Sequence, residues 1–398
     1  GDSTFQNLAA AERLGQLFMI RAQSNLGAEL LAGVEASLEN YHVGGLCFFQ
    51  GSPEKQAELT NRYQALAKVP LMISMDAEWG LGMRLKSDAI SFPYQLMLGA
   101  IQDNRLIYDM GQEVARQLRR LGVHVNFAPV ADVNNNPENP VIGFRSFGED
   151  RYNVTAKSYM YMKGLQDGQV MACAKHFPGH GDTDVDSHYD LPVISHSQKR
   201  LDSIELFPFR VLAEHGIQSM MVAHLHVPTI DSLPNLPTTL SAPAVRQLLQ
   251  DEIGFDGLIF TDGLGMKGVT KHYRPGEVEA KALVAGNDVL LLPEDVPAAF
   301  AEIKRYLREG WLSQEQVDDS VKKILRYKYR LGLITPQRVE TQNIRAERNS
   351  PRARVLKRRL IENALTLVRN EASLLPLGTM ASENQAAHGN PRAPPPPH

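Results

Sequence analysis

Short apolar runs recur along the first three hundred residues at 17–20, 46–49, 71–75, 125–128, 172–175, 220–223, 258–260 and 289–292. Each is too brief for a buried helix, so each predicts a buried strand. Between them, apolar positions fall at helical spacing over 53–68, 104–121, 152–166, 204–215, 242–252 and 277–285, after a first helix at 8–16. Strands that alternate with helices pair in parallel through right-handed crossovers. Eight such strands predict an α/β chain folded as a (β/α)8 TIM-type barrel over residues 1–335. Residues 294–331 add two helices with a break at Glu309 and Gly310. A polar stretch to about Arg352 reads as a linker, and Val355, Leu356, Leu360, Ile361, Ala364 and Leu365 then form an apolar helical stripe. Residues 378–398 carry no apolar pattern and read as a disordered tail.

The polar residues sharpen this picture. Asp76, Lys175 with His176, His224 and Asp262 each close a different apolar run, at the end where barrel active sites are assembled. Composition removes other classes of function. A net charge of −3 gives no basic excess for nucleic acid, and no apolar run reaches the length of a membrane span. Cys47 and Cys173 lie inside strand-like runs, which predicts buried free thiols and no disulfide framework. The chain begins with Gly1 and not Met, so its start does not reveal the compartment. The expected setting is periplasmic or otherwise exported, with a cytoplasmic one left open.

One segment concentrates titratable groups: Lys175 to His188 reads KHFPGHGDTDVDSH. It is too polar for a core, and its Gly and Pro residues allow irregular backbone. A calcium loop starting at Asp182 would need Gly and Glu where Ser187 and Val193 stand, and the helical zinc pattern HExxH is absent. No metal and no cofactor are expected, with a mixed His/Asp metal centre as the alternative. Asp186 and His188, two residues apart, suit an Asp–His dyad for general acid/base work, although such a pair also occurs as a purely structural contact. Asp262 ends a buried strand ahead of Gly263, which turns a carboxylate toward a pocket or leaves it to brace the loop. Gly263, Gly265 and Gly268 spell GxGxxG, but the residues that follow make a poor helix, against a dinucleotide site. Arg145, set between Phe144 and Phe147, can grip a carboxylate, an acetamido oxygen or a hydroxyl, or form a structural ion pair. Trp79, close to Asp76, can stack on a sugar face or sit in the core.

Three segments together, KHFPGHGDTDVDSH, FAPVADVNNNPENPVIGFRSFGED and FTDGLGMKGV, resemble bacterial β-N-acetylglucosaminidases of glycoside hydrolase family 3, over about residues 14–332. The resemblance implies a (β/α)8 barrel and a retaining glycosidase that removes terminal β-linked N-acetylglucosamine (GlcNAc), from peptidoglycan fragments in particular. It implies Asp262 as nucleophile, His188 as general acid/base and Asp186 as its dyad partner, with Asp76, Arg145, Lys175 and His176 holding the terminal sugar. The partner is then a small carbohydrate, with no nucleic acid and no membrane span. A GlcNAc phosphorylase, a broader β-glucosidase or a non-catalytic sugar-binding barrel are the alternatives. Trp79 and Leu81 stand where many relatives carry Gly-Gly-Arg, a departure at the outer pocket. Residues 363–377 are similar to the opening of a second α/β domain, so 336–377 reads as a linker and the truncated start of that domain. The loop ending in His188 is expected to close over bound substrate.

Overall fold

The computed structural model describes residues 2–86, 89–187, 189–335 and 338–371. Its eight strands are β1 (Phe18–Ala22), β2 (Gly45–Phe48), β3 (Met72–Met75), β4 (Val125–Asn126), β5 (Met171–Phe177), β6 (Ser219–Val222), β7 (Leu258–Thr261) and β8 (Leu290–Leu291). All pairings are parallel, in the order β7-β6-β5-β4-β3-β2-β1-β8. The ring closes between β7 and β8 through the bridge of Phe260 to Val289. This is the barrel that the eight apolar runs predict. Closure removes every sheet edge, so strands of two to seven residues suffice.

Local signals set where the surrounding helices start and stop. Ser52 accepts a hydrogen bond from the Lys55 amide (3.3 Å) ahead of Pro53, and Asp150 accepts one from Asn153 (2.7 Å). Asp295 caps Val296–Glu309 through the Ala298 amide (2.9 Å), and Gly310, at φ 77°, ends it in the left-handed region. Ser313 and Gln316 then open Gln314–Arg330 with reciprocal capping bonds. The crossover from β6 to β7 is a π-helix, Pro243–Glu252, where the apolar spacing predicts an α-helix.

The strands are buried along nearly their whole length, and Phe127 of one wall meets Phe260 of another at 5.3 Å. Both cysteines are free and buried, as expected. No helix among the described residues is long and apolar enough to cross a membrane.

Gly1–Ala364 forms one compact unit. Residues 338–364 thus belong with the barrel, and the boundary placed at 335 falls inside that unit. Asn61 holds Val339 through two 2.8 Å bonds, and Arg116 donates to the Glu347 carbonyl (2.9 Å). On helix Pro351–Ala364, Ala353, Leu356, Leu360 and Ala364 are buried. Val355 and Leu365, counted in the predicted stripe, are exposed. Residues 372–398, including the expected tail, lie outside the described residues.

Candidate active site

Each strand end delivers its polar residue to the same face. Asp76 follows β3, Asp262 follows β7, His224 comes two residues after β6, and Lys175 and His176 lie at the C-terminal end of β5. The β5 to β6 register shifts between Ala174 and Phe177. A bulge there re-aims the two intervening side chains, which regular alternation would send to opposite faces.

Lys175 is the centre of a charge network. Its ammonium lies 2.8 Å from Asp76 Oδ1 and 2.8 Å from Glu78 Oε1, and it is 3% exposed. Glu78, fully buried, in turn receives a two-pronged bond from Arg145 at 2.7 and 3.0 Å, while Arg84 pairs with the other oxygen of Asp76. Burial pushes the carboxyls of Asp76 and Glu78 up, but the cations outweigh it and hold Glu78 at about 2 and Asp76 lower still. Burial acts downward on Lys175, and the two carboxylates reverse it, so the ammonium stays charged. Three cations thus face two carboxylates, and the Nε of Arg84 has no hydrogen-bond partner among the described residues.

A second network orients the histidines. Asp132, fully buried after β4, accepts from the amides of His176 (3.1 Å) and His180 (2.7 Å), and its Oδ2 lies 2.7 Å from His176 Nδ1. His180 Nδ1 lies 2.8 Å from Thr183 Oγ1, and Nε2 lies 3.2 Å from Ser187 Oγ. Burial, with His176 beside it, lowers His180 to about 4, so the ring is neutral near pH 7. His224 bridges Thr239 Oγ1 (2.7 Å) and the Gly263 carbonyl (2.9 Å).

Asp262 is partly open to solvent, and one oxygen accepts from the Gly263 amide at 2.7 Å. Burial pushes its carboxyl up, but His176, His224, the Gly263 amide and Lys175 together carry it below the ordinary aspartate range. An ionised carboxylate at a barrel mouth is a competent nucleophile or charge stabiliser.

The loop from β5 reaches the same place. Ser187 is buried, and its carbonyl accepts from the Gly268 amide at 3.1 Å. A Cβ at Gly268 would lie 2.6 Å from that carbonyl oxygen, so glycine is what lets the two loops touch. The stem of the loop is therefore docked against the Asp262 loop. Asp186 precedes Ser187, and its carbonyl accepts from the Tyr189 amide at 2.9 Å. His188 lies outside the described residues.

Asp182, His196 and Glu205 bring possible ligand atoms within 4.8 Å of one another. Arg200 already bonds Asp182 (3.4 Å) and Glu205 (3.1 Å), so a guanidinium supplies the positive charge that a metal ion would bring. A cavity of about 660 Å³ lies at the opposite end of the barrel, beside Val123 and His124, and holds none of these residues.

The structure thus gathers Asp76, Arg145, Lys175, His176 and Asp262, and joins to them Glu78, Arg84, Asp132 and His180, which the sequence reading passes over. Asp132 carries the same signal as the others, a carboxylate closing an apolar run. Glu78 and Arg84 lie two and eight residues past Asp76 on one loop, where no periodicity marks them.

Residues 9–327 match the glycosyl hydrolase family 3 N terminal domain. The chain is 32% identical over 373 residues to beta-hexosaminidase A of Pseudoalteromonas piscicida, covering 85% of this chain and 61% of that relative. It is 34% identical to beta-hexosaminidase LpqI of Mycobacterium tuberculosis, covering 80% of this chain and 82% of that one. The solved family 3 β-N-acetylglucosaminidase of Paenibacillus sp. str. FPU-7 superposes with a TM-score of 0.84 at 35% identity, over 91% of this chain and 70% of that one. By sequence and by fold, the chain belongs to glycosyl hydrolase family 3.

Proposed function

We propose that the barrel hydrolyses terminal β-linked GlcNAc with retention of configuration, muropeptides being the substrates in view. The observation that carries this reading is Asp262, an ionised carboxylate at the end of β7, beside His176 and a cluster of buried cations. The names of the relatives, beta-hexosaminidase and β-N-acetylglucosaminidase, support the choice of sugar.

In the first step an Asp262 oxygen attacks the anomeric carbon, the bond to the leaving oxygen breaks, and protonated His188 gives that oxygen its proton. In the second, water attacks the same carbon, His188 takes the proton, and the Asp262 carboxylate is released. Asp186 orients His188 and stabilises its cation. Asp76, Lys175, Arg145 and His176 hold the sugar hydroxyls and acetamido group. Glu78 and Asp132 set the positions of Arg145 and His176 (3.0 and 2.7 Å).

A panel of aryl β-GlcNAc, β-glucoside and β-xyloside substrates tests the reading, with the β-GlcNAc compound expected to turn over fastest. Asp262→Asn should abolish turnover. His188→Ala should cost about 10²- to 10⁴-fold on unactivated glycosides and spare those with acidic leaving groups. Full activity of Asp262→Asn, or turnover that requires added phosphate, would reject the mechanism.

A further inference from the structure

Three aromatic side chains from three separate segments converge beside the charge network. Trp79 directly follows Glu78, Phe144 directly precedes Arg145, and Tyr94 precedes the helix Gln95–Gly99. Tyr94 meets Trp79 edge-on at 4.7 Å and Phe144 at 4.6 Å. The segments are held rigidly. Tyr161 donates to the Glu78 carbonyl (3.0 Å), the Phe92 amide donates to the Trp79 carbonyl (3.0 Å), and Gln95 donates to the Val130 carbonyl (3.1 Å). At Gly99 a Cβ would strike the Phe147 carbonyl oxygen at 2.1 Å, so the helix lies flush on the segment bearing Phe144.

Burial does not account for this cluster, because Tyr94 is 46% and Phe144 53% exposed. Aromatic faces left in water, fixed by rigid backbone and touching one another, form a platform and not a core. The platform is uncharged and continuous with the site, since Glu78 and Arg145 are bonded to each other and each is the chain neighbour of a platform residue. A neutral pyranose, with its apolar C–H face and polar rim, matches both features.

We propose that Trp79, Tyr94 and Phe144 form a stacking subsite at the rim of the pocket for the second sugar ring of the substrate, the ring that carries the leaving oxygen. This rests on the glycosidase reading above and adds a preference for saccharide over small alkyl leaving groups. Trp79, which stands in the stretch that departs from Gly-Gly-Arg, then has a use: it supplies one ring of the platform.

The test has two arms. In the first, the ratio of kcat/KM for the β-1,4-linked GlcNAc disaccharide to that for methyl β-GlcNAc is compared between the unaltered protein, Phe144→Ala and Phe144→Tyr. The expected result is a fall in that ratio of about tenfold in Phe144→Ala, the loss of one ring contact, with recovery in Phe144→Tyr. An unchanged ratio overturns the proposal. The second arm needs no turnover. The chain has two tryptophans, so Trp311→Phe leaves Trp79 as sole reporter. In that background, with Asp262→Asn to prevent hydrolysis, the disaccharide should give a saturable change in emission that methyl β-GlcNAc does not match, and Phe144→Ala should weaken it about tenfold. No response, or equal responses to both ligands, overturns the subsite. Should the first arm show no hydrolysis while the second responds, the glycosidase reading fails and the subsite stands.

Discussion

At the scale of single residues the site is a problem of buried charge. Lys175 sits between two carboxylates with almost no access to water, and each group is charged only because the others are. Lys175→Met leaves Asp76 and Glu78 facing each other, and is expected to cost about 3–5 kcal/mol of stability, read as a lower urea midpoint. His180 adds a pH dependence whose sign follows from its neutral ring. Unfolded, an imidazole takes up a proton near 6.5, whereas the folded ring waits until about 4. The unfolded state therefore binds more protons between these values, so stability is whole above pH 6.5 and falls as pH drops toward 4, by about 3 kcal/mol. Urea titrations at pH 7.5 and 4.5 measure the loss, and His180→Asn should shrink it. Arg145 shows what could be read of such residues beforehand. Its chemistry as a forked donor was legible from its identity. Its partner Glu78 lies 67 positions away in sequence, and no local pattern joins them.

At the scale of elements, the structure turns on the meeting of two loops. The glycines at 263, 265 and 268 look like a cofactor loop in sequence, and a one-turn helix, Lys267–Thr270, does follow. Gly268 instead serves contact, since its amide and its missing Cβ admit the Ser187 carbonyl. Gly268→Ala must push the loop stem outward. The expected result is a loss in kcat/KM of about 10²-fold, the scale of a misplaced proton donor, measured alongside an unfolding curve to separate it from instability. The strands themselves were legible because each is a short apolar run between segments of helical spacing. The bulge that aims Lys175 and His176 was not, because it depends on how β5 meets β6.

At the scale of the whole molecule, the barrel gathers onto one face residues spread from Asp76 to Asp262. Residues 338–364 also belong to its compact unit, although their polar composition reads as a linker. Their hydrogen bonds to Asn61 and Arg116 satisfy that polarity, and Ile344, Leu356 and Leu360 supply the burial. A chain ending at 335 should therefore be less stable than one ending at 371. The difference should be several kcal/mol, at about 1.5–3 kcal/mol for each buried Leu or Ile, compared by urea midpoints.

The sequence by itself determined the repeating strand and helix pattern, and with it the barrel and the end of each strand at which Asp76, Lys175, His176, His224 and Asp262 would stand. These follow from spacing along the chain, which a linear reading contains. Only the tertiary structure decided that Glu78 clamps Arg145, that Asp132 orients two histidines, that Gly268 receives Ser187, and that three aromatic rings meet beside the pocket. Each of these is a contact between groups far apart in sequence, fixed by the closure of the ring and by the cost of leaving a buried charge or polar atom without a partner.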